Sequence, residues 1–191
     1  MSLRRLGALL ALGVLAACAR PNFEGTALLP VRPAPPIALT ASSGSPWLLA
    51  GQTGKTLALF FGYTHCADTC PVTLAKIVAA RKAVDPSGAH TEIVFLTVDP
   101  QRDTPQILAA YLKRFGTGIV GLTGTTRSIA AVERSYGIWA ARIPGNHGRY
   151  GYDEAHASSI FLIGPRGNER VLHDASDSVA SIAHDMGLLA G

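Results

Sequence analysis

Hydrophobic positions along the chain fall into blocks whose period changes. Leu57-Ala-Leu-Phe-Phe61 is a continuous apolar run, the pattern of a strand buried on both faces, and Ile93 to Val98 is a second. Between them Leu74, Ile77 and Val78 recur at one-face spacing and predict a helix from about Pro71. Thr104-Pro105 predicts the next helix start, with Thr as N-cap and Pro in the first turn, where its missing N–H costs nothing. Its apolar face is Ile107, Leu108, Tyr111, Leu112 and Phe115. Ile119 to Leu122 reads as a short third strand. A helix beginning at Thr125 or Thr126 follows through Ile129, Val132 and Tyr136 and closes at Gly137. Ser158 to Ile163 and Glu169 to Leu172 flank Gly164-Pro-Arg-Gly-Asn168 and predict an antiparallel hairpin. A last amphipathic helix spans about Ser176 to Leu189, with Val179, Ile182, Ala183 and Met186 inward. Near the start, Ile37-Ala-Leu39 and Trp47-Leu-Leu49 on either side of Gly44 predict a small hairpin, and the glycine-rich stretch Pro144 to Gly151 a long mobile loop.

Strand, helix, strand, and later hairpin, helix is the order of a thioredoxin-like α/β fold. The expectation is a central mixed sheet flanked by helices, preceded by an N-terminal β-hairpin, in one domain over residues 37–191. The first residues read differently. Arg4-Arg5 precede an apolar run from Leu6 to Ala17 that is shorter than the roughly 20 residues of a membrane span. A positive start, an apolar stretch and small residues at its end describe a signal peptide over 1–17. Leu15-Ala-Ala-Cys18 resembles the lipobox of bacterial lipoproteins, which implies cleavage before Cys18 and lipid on its sulfur. The alternative is an ordinary secretory signal with an incidental Cys. Either way the domain is expected outside the cytoplasm, and lipidation would hold it to a membrane of the bacterial envelope, on the periplasmic side. Residues 18–36, with five prolines between Pro21 and Pro36 and no apolar periodicity, predict an extended tether.

Composition narrows the function. With 48% hydrophobic and 16% charged residues the chain can bury a core. The net charge is only +4, and Arg4 and Arg5 supply two of those charges. The remaining basic residues are scattered, which argues against a nucleic-acid partner. Nothing in the sequence demands more than a monomer. With Cys18 committed to lipid, Cys66 and Cys70 remain, too few for an exported disulfide scaffold. They lie in Phe60-Phe-Gly-Tyr-Thr-His-Cys66-Ala-Asp-Thr-Cys70-Pro71, four residues apart at a strand-to-helix junction. Backbone N–H groups and the helix dipole there favour thiolate. The expectation is an accessible pair of low-pKa thiols, able to oxidise to a disulfide or to grip a soft metal. Asp68 between them is expected either to meet a partner or support the site, or simply to accept hydrogen bonds at the helix start. His65 is expected to be a neighbour of the sulfurs and not a ligand, and His90 and His184 to be solvated. In thioredoxin-type oxidoreductases a cis-proline faces the dithiol from the turn before the corresponding strand. No proline occurs between Pro144 and Pro165, and His156 stands near that place. An imidazole facing two thiolates makes a metal site.

Cys66-Ala-Asp-Thr-Cys70-Pro71, then Val98-Asp-Pro-Gln-Arg102-Asp103-Thr104-Pro105, then His156-Ala-Ser158 before an apolar strand and Gly164-Pro-Arg-Gly167, resemble the Sco/SenC family of copper-binding, thioredoxin-like proteins. The resemblance runs from about Ile37 to the C-terminus. It implies copper held by Cys66, Cys70 and His156, and two thiolates with one imidazole favour Cu(I) while still allowing Cu(II). It further implies delivery of copper to the dinuclear copper centre of cytochrome c oxidase, or reduction of that centre's cysteines. The partner would be the copper-receiving subunit of the oxidase or another copper chaperone. The family usually has Asp directly before the ligand His, where this chain has Ala155, with Asp153 further upstream; that puts support of the imidazole in question. The donor set alone also admits zinc. Asp99, Arg102 and Asp103 are expected to form a structural corner and helix start. The competing readings are a thiol-disulfide reductase using Cys66 and Cys70 without metal and, last, a thiol peroxidase, for which no further polar constellation is visible.

Overall fold

The computed structural model describes residues 21–144, 152–156 and 158–190, with only the backbone at 153, 155 and 156. The expected signal peptide, Cys18 and most of the glycine-rich loop lie outside the described residues. No described helix is long and apolar enough to cross a membrane.

The apolar runs form the middle of an eight-stranded sheet. Strand β4 (Thr56–Gly62) is buried at every position. It pairs in parallel with β5 (Thr91–Thr97) on one side and antiparallel with β9 (Ser159–Ile163) on the other. Beyond β9 lies β10 (Asn168–Asp174), and beyond β5 lies β6 (Ile119–Thr123). The expected N-terminal hairpin, β2 (Ala38–Ala41) with β3 (Pro46–Leu48), adds to the outer side of β6. The order β10-β9-β4-β5, with helix α1 (Thr69–Val84) between β4 and β5 and α4 (Val179–Ala190) after β10, is the thioredoxin-like arrangement. Helix α2 (Pro105–Leu112) starts as expected, with the Thr104 hydroxyl accepting from Ile107 N–H and Pro105 in the first turn. Helix α3 (Thr126–Ser135) is capped by Thr125. Phe61, Tyr136 and Phe161 stack edge-on or tilted with centroids 5.3–6.0 Å apart. At the end of β4, Gly62 lets the Phe95 ring approach so closely that a Cβ there would stand 2.9 Å from it.

Several boundaries differ from expectation. Thr26–Pro33, assigned above to the tether, is strand β1, antiparallel to β10 at the edge of the sheet. Its prolines are tolerated because an edge strand has one row of N–H groups with no ladder partner to satisfy, and the register shifts between Ala27 and Arg32. The folded region therefore begins before Ile37. Ala140–Pro144 and Tyr152–His156 are strands β7 and β8, which among the described residues pair with each other in a separate two-stranded sheet. Helix α1 begins at Thr69, so Cys70 lies inside its first turn and not before it. Ile107 points outward on α2 while Leu108, Tyr111 and Leu112 are buried.

Candidate metal centre

The cysteine loop leaves β4 at Gly62 and turns back on itself, Cys66 N–H donating to Tyr63 C=O. Cys66 is half-buried and Cys70 fully buried. Cys70 N–H donates to Cys66 Sγ at 3.3 Å, so the first sulfur occupies the acceptor position at the start of the helix that carries the second. Asp68, the residue before α1, makes no side-chain cap. This removes the helix-start acceptor role considered for it.

For Cys70 the expectation of an exposed, acidic thiol is not met. The Cys70 thiol is driven far above its ordinary range, first by its hydrogen bond with the Cys66 sulfur, then by burial and by repulsion from the Cys66 charge. The helix start does not overcome this, because a second thiolate would stand against the first away from water. The pair instead retains a proton between its sulfurs. A thiophilic cation can take the place of that proton and be shared by both sulfurs, so the donor chemistry fits a soft metal ion. Tyr111 lies close enough for both cysteine charges to help raise its phenol, although burial is the larger cause.

The third expected donor is placed in part. The His156 backbone pairs with Ala140 at the end of β8, but its side chain lies outside the described residues, as does that of Asp153. Among the described residues Cys66 and Cys70 come together, and no group of three His, Cys, Asp or Glu side chains is arranged to hold a metal. His65 Nδ1 sits 3.0 Å from Thr64 Oγ1 and 3.8 Å from Asp103 Oδ1. His90 is exposed. His184 is partly exposed and bonded to Asp185.

The segment from Asp99 to Asp103, read above as a corner, reaches both sides of this centre. Asp103 accepts from Thr64 N–H at 3.0 Å and from the hydroxyls of Thr64 and Thr97, each at 2.6 Å. Burial raises its pKa against those hydrogen bonds. Asp99 accepts from Arg102 Nε and from Tyr152 Oη, the latter at 3.1 Å. Arg102 Nη1 donates to Tyr152 C=O at 3.1 Å, and its guanidinium lies 3.9 Å from the Tyr152 ring centroid and 5.7 Å from that of Tyr63. Arg142 on β7 donates to Glu154 on β8 at 3.0 Å and stacks on Tyr152 at 4.5 Å. Two acid-base pairs and a Tyr spaced along the chain carry no periodic signal. Only the crowding of Asp and Arg between a strand and a helix cap hinted at this role.

Fold and dithiol together define a thioredoxin-like protein that carries its sulfur pair at the start of the first core helix. Residues 32–190 match the SCO1/SenC family model, and the chain belongs to that family. It is 36% identical over 134 residues to the mouse "Protein SCO1 homolog, mitochondrial", covering 69% of this chain and 47% of that protein. The chain thus spans about half the length of the curated relatives it matches. Among solved structures it resembles Arabidopsis thaliana ScoI with copper bound, at TM-score 0.76 and 30% identity, covering 82% of this chain and 97% of that one. It also resembles apo Sco1 from Thermus thermophilus, at TM-score 0.78 and 28% identity, covering 90% and 99%.

Proposed function

We propose that this chain is an envelope copper metallochaperone that takes up copper through Cys66, Cys70 and His156. It would pass the ion to the dinuclear copper centre of cytochrome c oxidase, on its receiving subunit or through another chaperone. The observation that carries this reading is the cysteine pair at the start of α1, where the Cys66 sulfur accepts from Cys70 N–H and Cys70 is fully buried. Such a pair is poorly suited to attack from solvent and well suited to exchange a proton for a soft cation. Copper is preferred over zinc because the similar ScoI structure from Arabidopsis carries copper. A site of three protein donors can release its cargo by ligand exchange with an acceptor's thiols, and the proposed lipid on Cys18 would keep a monomeric carrier beside the membrane.

The dithiol also supports a second reading, a reductase in which Cys66 and Cys70 become a disulfide as a partner's disulfide takes up the two electrons and two protons. One experiment separates them. Reduced protein is titrated with Cu(I) against a chromophoric chelator, wild type beside Cys66→Ser, Cys70→Ser and His156→Ala. The chaperone reading expects one Cu(I) per chain, with affinity falling about tenfold or more for each substitution. Uptake that ignores His156→Ala, joined to disulfide-reducing activity that survives it, would transfer the assignment to the reductase.

A further inference from the structure

We infer that Asp99, Arg102 and Tyr152 form a clamp that fixes the β7–β8 hairpin, and with it His156, against the cysteine loop. The inference rests on the reading of His156 as third ligand. An isolated two-stranded hairpin is marginal in water. Among the described residues, strands β7 and β8 have no ladder partner besides each other, so the described strands of the main sheet pair with neither. At one end the hairpin is held by the chain, since His156 precedes β9 by three residues. At the other, beside Tyr152, it is held by side chains.

Those side chains come from one short segment. Arg102 is buried, donates to the Tyr152 carbonyl and covers the Tyr152 ring, while its other side approaches Tyr63, three residues before Cys66. Asp99, fully buried, neutralises Arg102 and accepts the Tyr152 hydroxyl. Asp103, in the same turn, accepts both the N–H and the hydroxyl of Thr64, two residues before Cys66. Segment 99–103 therefore grips the sulfur-bearing loop and the histidine-bearing strand at once. A strand secured at both ends does not pivot about its base, so less ordering of that strand is left to be done at loading. Tyr152 is a positioning residue here: it touches no ion and acts through the strand it begins.

The test uses the reduced chain, metal-free and then titrated with Cu(I). Tyr152→Leu removes ring and hydroxyl; Tyr152→Phe keeps the ring over Arg102. In metal-free protein, amides of β7 and β8 are expected to exchange about tenfold faster in Tyr152→Leu, with α1 and β4 unchanged. Cu(I) affinity is expected to fall about tenfold in Tyr152→Leu and to recover in most part in Tyr152→Phe. In a His156→Ala background Tyr152→Leu should weaken Cu(I) no further, since the clamp acts only through that residue. Unchanged hairpin exchange, or an equal loss of affinity with and without His156, would overturn the clamp. A wild type that takes up no Cu(I) would overturn the ligand reading instead, and the exchange comparison would still decide whether the clamp holds the hairpin.

Discussion

Asp103 shows how much one side chain contributes beside the sulfurs. It is fully buried yet takes three hydrogen bonds, two from Thr64 in the cysteine loop and one from Thr97 at the end of β5. Asp103→Asn keeps the shape but exchanges one acceptor oxygen for an NH2 that faces donors. Each buried group left unsatisfied costs about 1–3 kcal/mol. The expected outcome is a loss of about 2–4 kcal/mol in urea unfolding, with faster alkylation of Cys66 as its loop loosens; unchanged alkylation would show that Asp103 does not hold the loop. That the two cysteines lie together at the start of a helix was legible in the sequence because strand, thiols and helix follow one another directly. The state of Cys70 was not. Spacing says that two sulfurs share a turn, but only packing says that one of them is sealed from water, which reverses the direction of its pKa.

Elements were legible wherever burial imposed a period. The runs of β4 and β5, the Thr-Pro start of α2 and the hairpin around Gly164 all follow from local rules. Strands β7 and β8 do not: Ala-Ala-Arg-Ile-Pro and Tyr-Asp-Glu-Ala-His alternate no apolar face, because this hairpin is attached by ion pairs and a stacked Tyr and not by a buried stripe. Between the hairpin and α3 lies a cavity of about 250 Å3 lined in part by Val98, Ile129, Glu133, Arg142 and Glu154. Glu133 Oε1 is buried there without a hydrogen-bond partner. Burial, reinforced by the Glu154 charge, pushes the Glu133 carboxyl up to about 7. Its folded pKa exceeds the unfolded one, so the folded state holds a proton the unfolded state has lost. Stability therefore declines as pH rises from about 4.5 to about 7, and the cost is fully present above that range. Glu133→Gln removes the titration. The variant is expected to melt above wild type at pH 8 and to match it near pH 4. An equal difference at both pH values would place the effect in packing and not in charge.

At the scale of the whole molecule, the order of strands and helices was enough to reach the thioredoxin-like topology, but not to find where it begins. Proline count argued for a tether across Pro21 to Pro36, whereas Thr26–Pro33 closes the outer edge of β10. A second attachment lies at the start of that strand. The buried Asp185 carboxylate on α4 accepts from the N–H groups of Glu24 and Gly25 at 2.9–3.1 Å and faces His173 Nε2 at 3.1 Å. His173, itself buried, meets Asp177 with its other ring nitrogen at 2.7 Å. Gly25 belongs here because a Cβ would stand 2.8 Å from the His173 ring. A chain beginning at Ile37 would bare the β10 edge and leave Asp185 without its backbone donors, whereas one beginning at Pro21 keeps both. The shorter chain is expected to be less stable by about 2–5 kcal/mol in urea, the scale of breaking a buried charged hydrogen-bond set. It is also expected to self-associate with rising concentration in sedimentation, as exposed strand edges do. Equal unfolding midpoints for the two chains would mean that β1 only rests on the sheet, and that the fold is complete without it.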